Sequence, residues 1–418
     1  MGIRIQDFLR AFPNQPEVAR KLAGAIDAGQ RGDGDLSDAE LKAAIASLRA
    51  DGFAAGALKA GFQELFGRDL ATAPPSVRAF GAEVRTELAA KGISQQDLLF
   101  DLRVLSKDPT MAVREAGSPE YLKAAQWVAD QLRAAGVEPM GDSGPSAPSF
   151  FQKFKWEERF APSRVSSSVN VVGRIPGKGP EPREAVLIIA HLDNLSKAEK
   201  ADYLRRDGRD LRVYEGANDN TASVAALLET VRALKEAGPT NRDIIVLVPS
   251  AEEDGLKGTE AFVKGAPVPL DRIVGAVNLE MIGQNSTSEL LLYGGQSETE
   301  ASSNPLYSRA KRVAEASGAQ VKPGHLNDDG EGWYGRSDHL VTANAGIPSV
   351  MFHGRTASGN YHTSDDTVEN LNLEKVEVVS RQVLRLVRDL ANDPQAAERR
   401  GPARATLNPY PGQVWPGE

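Results

Sequence analysis

The sequence predicts an α/β fold, a mixed and mostly parallel sheet flanked by helices, behind a small all-α N-terminal domain. Three observations predict it. Six short, nearly continuous apolar runs, at 169–175, 186–190, 244–249, 273–279, 290–293 and 347–352, have the character of strands buried on both faces. Helical periodicities lie between several of them, and strand alternating with helix means a sheet with covered faces. The 418 residues, 41% of them hydrophobic and 25% charged, are also more than one average domain needs, so two domains are expected.

Residues 1–108 read as the helical N-terminal domain. Val18, Leu22 and Ile26 share one face, Leu41, Ile45 and Leu48 a second, and Leu58, Phe62 and Leu65 a third. Gly67 and the Pro74-Pro75 pair punctuate them. Within this domain the stretch from Asp27 to Glu40 has the outline of an EF-hand loop, with Gly34 at the sharp turn and Glu40 as the closing carboxylate. In that register Gly29 and Arg31 stand where calcium needs oxygen donors, so calcium is not expected there. A turn followed by a Ser37/Glu40 capping box accounts for the same residues.

The next domain is expected over 109–393. Its first element is an amphipathic helix over 118–135, with Tyr121, Ala125, Val128 and Leu132 inward and Gly136 as the stop. The Gly-, Pro- and Ser-rich stretch 139–149 reads as a loop. Then come the six apolar runs. Between the second and third, Val224, Leu227, Leu228, Val231 and Leu234 recur at helical spacing over 221–237. A final helix is expected over 373–392, and residues 394–418 read as a mobile tail.

Composition removes several functions. A net charge of −8 without a basic block argues against a nucleic-acid partner. Zero cysteines exclude disulfides, thiolate metal sites and a cysteine nucleophile. Charge interrupts the first ten residues before any signal-peptide core can form, and no later stretch is long and apolar enough to span a membrane. The expectation is a cytoplasmic chain without a membrane partner, with secretion by another route left open. All five histidines, His191, His325, His339, His353 and His362, follow residue 190, so imidazole chemistry belongs to the second domain.

In open α/β sheets ligands bind beyond the carboxyl ends of the strands. The run 186–190 leads to His191 and Asp193, 244–249 to Glu252 and Glu253, 273–279 to Glu280, and 347–352 onward to His362. Asp219 lies in the polar segment GANDNTAS, 216–223, ahead of the 221–237 helix. Each residue has an ordinary explanation: a cap at Asp219, a polar strand end at 191–193, an acidic first helical turn at 252–254, a paired charge at Glu280, a solvated histidine at 362. Taken together they are imidazole and carboxylate only, the donor set of zinc or a similar divalent ion. Alternation in an extended segment turns residues 191 and 193 the same way, so the Asp193 carboxylate is expected to hold the second imidazole nitrogen.

His191-Leu192-Asp193, GANDNTAS at 216–223, SAEEDGLKGTEAF at 250–262, NLEMIG at 278–283, GRSDH at 335–339 and YHTSDDT at 361–367 resemble, in the same order, the co-catalytic zinc aminopeptidase family. Glutaminyl cyclases, glutamate carboxypeptidases and the transferrin-receptor ectodomain belong to it as well. The resemblance implies two zinc ions bridged by Asp219, one completed by His191 and Glu280, the other by Glu253 and His362. It implies Glu252 as general base, Tyr361 as a transition-state donor, a cis peptide between Asp219 and Asn220, and a peptide or protein substrate. Glu280 departs from the family's usual aspartate, which makes one zinc the alternative to two. With Asp219 a ligand, the capping role is expected to pass to Asn220 or Thr221.

The expected reaction is hydrolysis of an N-terminal residue by a zinc-dependent aminopeptidase. The alternatives are a single-zinc glutaminyl cyclase-like acyltransferase, a carboxypeptidase, and a non-catalytic binding homologue. A nucleotide-binding protein would need a glycine-rich phosphate loop after its first strand, and none follows residue 190. His325, Trp333, His339 and His353 stand open between lining the pocket, packing and a surface role.

Overall fold

The computed structural model describes residues 93, 95–142, 148–158, 161–181, 183–195, 215–295, 301–324, 333–354 and 360–394, and two short strands, Ile3–Arg4 and Asp35–Leu36, that pair antiparallel. The helices expected before residue 93, the calcium-loop reading apart from the 35–36 backbone, His325 and residues 395–418 lie outside the described residues.

Helix α1, Gln95–Lys107, buries Leu98, Leu102 and Leu105 in one stripe. Helix α2, Pro119–Ala134, begins where the Ser118 side chain accepts the Tyr121 N–H at 3.0 Å, with proline at its first position. The strands that follow are β1 Glu138–Pro139, β2 Phe151–Glu158, β3 Ala161–Ile175, β4 Ala185–Ile189, β5 Asp243–Val248, β6 Ile273–Glu280, β7 Glu289–Tyr293, β8 Gln320–Gly324 and β9 Ser349–His353. Between them run α3 Ala222–Glu236, α4 Lys257–Lys264, α5 Pro305–Glu315 and α6 His339–Asn344, and α7 Leu373–Asn392 is the last helix among the described residues.

Eight strands lie in the order β8-β7-β9-β6-β4-β5-β3-β1, with β2 paired to β3 as a ninth. The central four, β9, β6, β4 and β5, are mutually parallel, and antiparallel pairs β7–β9 and β5–β3 flank them. Alternation divides the central strands between two cores. Val186, Ile188, Val246 and Val277 join the helices α1, α2, α3 and α7 on one face, while Leu187, Ile189, Ile245 and Leu247 meet Phe262 of α4 on the other. Burial on both faces is why these strands carry nearly continuous apolar runs. The α1 helix packs on α3 and α7 and so shares the first core.

Three strands escape the apolar-run criterion. In β2 the side chains alternate, with Gln152 and Trp156 buried and Lys153, Lys155 and Glu157 exposed, so no continuous run forms. Its partner β3 begins at Ala161 rather than at 169 because its polar first half pairs with β2. At the sheet's other edge β8 carries Lys322 and Pro323, residues suited to an unpaired border. Residue 139, expected in a loop, instead ends β1. Among the described residues no helix is long and apolar enough to cross a membrane.

Candidate metal centre

Because β5, β4, β6 and β9 run parallel, their carboxyl ends meet along one edge, and the sequence-singled residues collect there. His191 lies two residues beyond β4, Glu252 and Glu253 follow β5, Glu280 is the last residue of β6, and His362 lies beyond β9. Asp219 sits in the turn Ala217–Thr221 that leads into α3, and its peptide bond to Asn220 is cis. Gly216 opens that turn at φ 54°, where a Cβ would stand 2.6 Å from the Asp219 carbonyl oxygen, so glycine is required.

The Asp219 carboxylate faces two ways. Its Oδ1 lies 3.4 Å from His191 Nε2 and its Oδ2 lies 3.2 Å from His362 Nε2. A further carboxylate stands on each side: Glu280 Oε1 is 3.5 Å from His191 Nε2, and Glu253 Oε2 is 3.5 Å from His362 Nε2. His191, Asp219 and Glu280 form one group with the spacing of metal ligands, and Asp219, Glu253 and His362 form a second that shares Asp219. Glu252 belongs to neither, although its Oε2 is 3.9 Å from His191 Nε2.

The charges fit a divalent cation. Five carboxylates, those of Asp193, Asp219, Glu252, Glu253 and Glu280, surround two imidazoles, and all but the partly exposed Glu253 are buried. Burial pushes Glu280 up, and it pushes Glu252 well above the usual carboxylate range, with the charges of Glu280 and Glu253 adding to the effect and His191 opposing it. Burial by itself would lower both imidazoles, but Glu252 and Glu280 hold His191 well above its ordinary value, and Glu253 and Asp219 raise His362 to about 9. Asp219 moves down against its own burial because both imidazoles pull on it. Imidazole nitrogen and carboxylate oxygen at this density suit zinc, and a cation between them offsets the excess negative charge.

The supporting bonds differ from expectation at Asp193. Its backbone carbonyl, not its carboxylate, meets His191 Nδ1, at 3.1 Å; the carboxylate is 3.8 Å away. The carboxylate instead accepts the backbone N–H groups of Glu252 and Glu253, each at 3.2 Å, and burial raises it to about 8. Asp193 therefore holds the histidine by its main chain and the two glutamates by its side chain. Neither Asn220 nor Thr221 caps α3: the Thr221 hydroxyl donates to the Gly216 carbonyl, and Asn220 serves the end of β6, its Nδ2 donating to Leu279 O at 3.1 Å and its Oδ1 accepting from Met281 N at 3.0 Å. Asn218 accepts from Gly283 N in the same way at 2.8 Å.

Four further residues organise the centre and received no role from the sequence. Asp366 accepts the Asn218 and Asp219 N–H groups at 2.7 and 3.0 Å, tying the His362 segment to the Asp219 segment. Ser337 donates to Glu280 Oε2 at 2.7 Å. Arg114, wholly buried, reaches the chain on both sides of the site. Arg336 donates to the Tyr361 hydroxyl at 3.2 Å, and the Tyr361 ring stacks on His362 with centroids 3.6 Å apart. The motifs GRSDH and YHTSDDT contained three of them, but only contacts across the fold assign their partners. Left-handed φ values at Ala251 (55°), Met281 (48°) and His362 (56°), beside or at the proposed base and ligands, also mark a backbone shaped by this site. His339 and His353 are wholly buried among Tyr293, Tyr334 and Met351, so they pack rather than line a pocket.

Residues 170–387 match the family model of peptidase family M28. The chain belongs to that family. Over 232 residues it is 28% identical to leupeptin-inactivating enzyme 1 of Streptomyces exfoliatus, a match that covers 50% of this chain and 45% of that protein. The match thus spans about half the length of that curated relative. Among solved structures, the LapA aminopeptidase of Legionella pneumophila is similar at a TM-score of 0.53 and 19% identity, covering 73% of this chain and 74% of that one. A glutaminyl cyclase from an Acidobacteriales bacterium gives 0.53 and 20%, covering 72% and 95%. Both likenesses are of fold, and the fold is the M28 one: a mixed sheet with helices on both faces.

Proposed function

We propose that this M28 member is a zinc-dependent aminopeptidase that hydrolyses the N-terminal residue of a peptide or protein. His191, Asp219 and Glu280 would hold one ion, Asp219, Glu253 and His362 the other, with Asp219 between them. The observation that carries the reading is the division of the Asp219 oxygens between two imidazoles, while the nearby Glu252 belongs to neither group.

Bound zinc supplies Lewis acidity and makes water nucleophilic near neutral pH. Glu252 is the general base. Its N–H is held by Asp193, its carboxylate is kept out of both ligand groups, and burial raises its proton affinity above that of an ordinary carboxylate, the direction a general base needs. The proton it accepts from water passes to the amine that leaves when the C–N bond breaks. Tyr361, stacked on His362, holds its phenolic proton because burial raises its pKa well above the ordinary value, so its O–H can donate to the oxygen on which charge develops. Arg336 restrains that hydroxyl.

The test is Glu252→Ala, with zinc content and peptide hydrolysis both measured. Zinc content is expected to stay at the wild-type level while hydrolysis falls by about 10²–10⁴-fold, the usual contribution of a positioned base. A folded variant that keeps its activity refutes the mechanism. Free, N-blocked and C-blocked peptides separate the reactions: an aminopeptidase cleaves the free and C-blocked forms and spares the N-blocked one.

A further inference from the structure

Glu252 lies in a loop, 251–257, that is folded on itself between β5 and α4. The Glu252 carbonyl accepts Gly255 N and Leu256 N at 2.8 and 2.9 Å, and the Ala251 carbonyl accepts Lys257 N at 2.9 Å. Ala251 and Leu256 take left-handed φ values of 55° and 65°. Non-glycine residues persist in that region when their surroundings over-determine them, so the two ends of the loop must be fixed. Those ends are Ser250 and Gly258, and they touch: a Cβ on Gly258 would stand 2.2 Å from Ser250 O.

A single side chain bonds both ends. β3 pairs with β5 only from Val171 onward, so Asn170 is the first residue of β3 to pass the end of β5. Its Oδ1 accepts Ser250 N at 3.1 Å, and its Nδ2 donates to Gly258 O at 2.8 Å. The second Nδ2 proton goes to Oε1 of Gln152, its cross-strand partner on β2, at 3.0 Å. Asn170, Ser250, Gln152 and Gly258 are all buried. These partners fix the amide's orientation, because the reverse would set Nδ2 against the Ser250 N–H and Oδ1 against two oxygens. An amide carries an acceptor and a donor in one plane, so it can bridge an N–H and a C=O as a peptide group would. An ionised aspartate could accept from Ser250 but not donate to Gly258, and a leucine of similar shape could do neither.

We propose that Asn170 is a positioning residue that closes the neck of the 251–257 loop and thereby sets the place of Glu252 for proton transfer. The proposal rests on the peptidase reading above. Asp193 holds the Glu252 N–H inside the loop, whereas Asn170 joins the loop's two ends and touches neither glutamate. With the neck open, Glu252 is free to shift against His191 and Asp219. A misplacement of about 1 Å costs about 10²-fold in rate.

The experiment follows hydrolysis of a free peptide by the full chain in saturating zinc chloride. Asn170→Leu is expected to lower kcat by about 10²-fold and to leave KM in place. In the Glu252→Ala background it adds no further loss, because the group it positions is gone. A second readout needs no activity: in the metal-stripped chain, Asn170→Leu speeds amide hydrogen exchange over residues 250–258 and leaves that of α3 unchanged, which a general loss of stability would not do. Unchanged kcat, a loss kept in full beside Glu252→Ala, or unchanged exchange over 250–258 overturns the proposal. If far-UV circular dichroism shows that Asn170→Leu is unfolded, Asn170→Asp takes its place; it keeps the acceptor for Ser250 and loses the donor to Gly258, the same changes are expected, and their absence overturns the proposal. A wild type that binds zinc but hydrolyses no peptide defeats the peptidase reading and this proposal together, whereas an active wild type with an indifferent Asn170 defeats this proposal alone.

Discussion

Replacing Arg114 by methionine is expected to unsettle the metal centre from a distance. The guanidinium is wholly buried in the turn between α1 and α2. Its Nε donates to Leu192 O at 2.8 Å, its Nη1 to Leu105 O and Ala112 O at 2.8 and 2.9 Å, and its Nη2 to the Thr221 hydroxyl at 2.7 Å. It thus joins the residue after His191 to the turn that carries Asp219. Bonds from a charged donor contribute roughly 1.5–3 kcal/mol each, net of desolvation, and are not additive within one network. Cutting one partner out of a buried charged network costs about 3–5 kcal/mol, which is the destabilisation expected for Arg114→Met. Equilibrium urea unfolding of the full, metal-stripped chain measures it, and zinc titration of the same variant is expected to show weaker uptake. A loss below about 1 kcal/mol, within the ordinary range for a point substitution, would show that Arg114 does not organise these segments.

Two other outcomes are accessible. His339 and His353, both wholly buried, are driven by that burial from the usual 6.5 to about 3. Below pH 6.5 the unfolded chain takes up protons that the folded chain refuses until about pH 3, so each imidazole removes about 1.4 kcal/mol of stability per pH unit across that window. His339→Gln is therefore expected to lose about 2 kcal/mol less than wild type between pH 6.5 and pH 5, measured as unfolding free energy at the two pH values; equal losses contradict a buried, neutral His339. Ser118→Ala removes the side-chain acceptor of the Tyr121 N–H at the start of α2. It is expected to cost about 1 kcal/mol in the same urea assay without changing zinc uptake.

Much of the frame was legible in the chain because burial on both faces leaves a plain mark. Val186, Leu187, Ile188 and Ile189 are apolar in succession since one alternate set meets the α3 side and the other meets Phe262. The first residues after such runs include His191, Glu252, Glu253 and Glu280, and parallel strands deliver their exits to one edge, so the chemistry of the site could be named before its geometry. The β2 strand was hidden for the opposite reason: it turns one face to solvent, and the alternation of Lys153, Lys155 and Glu157 with buried neighbours removes the apolar run.

Residue types and their order along the chain therefore determined the sheet, its helices and the imidazole–carboxylate character of the centre, because these depend on local periodicity and on where strands end. Only the tertiary structure decided which atom meets which. It turned the Asp193 carbonyl to His191 and its carboxylate to the Glu252 and Glu253 amides. It brought Ser337 to Glu280 across 57 positions and Asp366 to Asp219 across 147. A hydrogen bond is made by direction and distance at a single atom, and segments so far apart acquire both only when the strands have paired and the helices have closed over them.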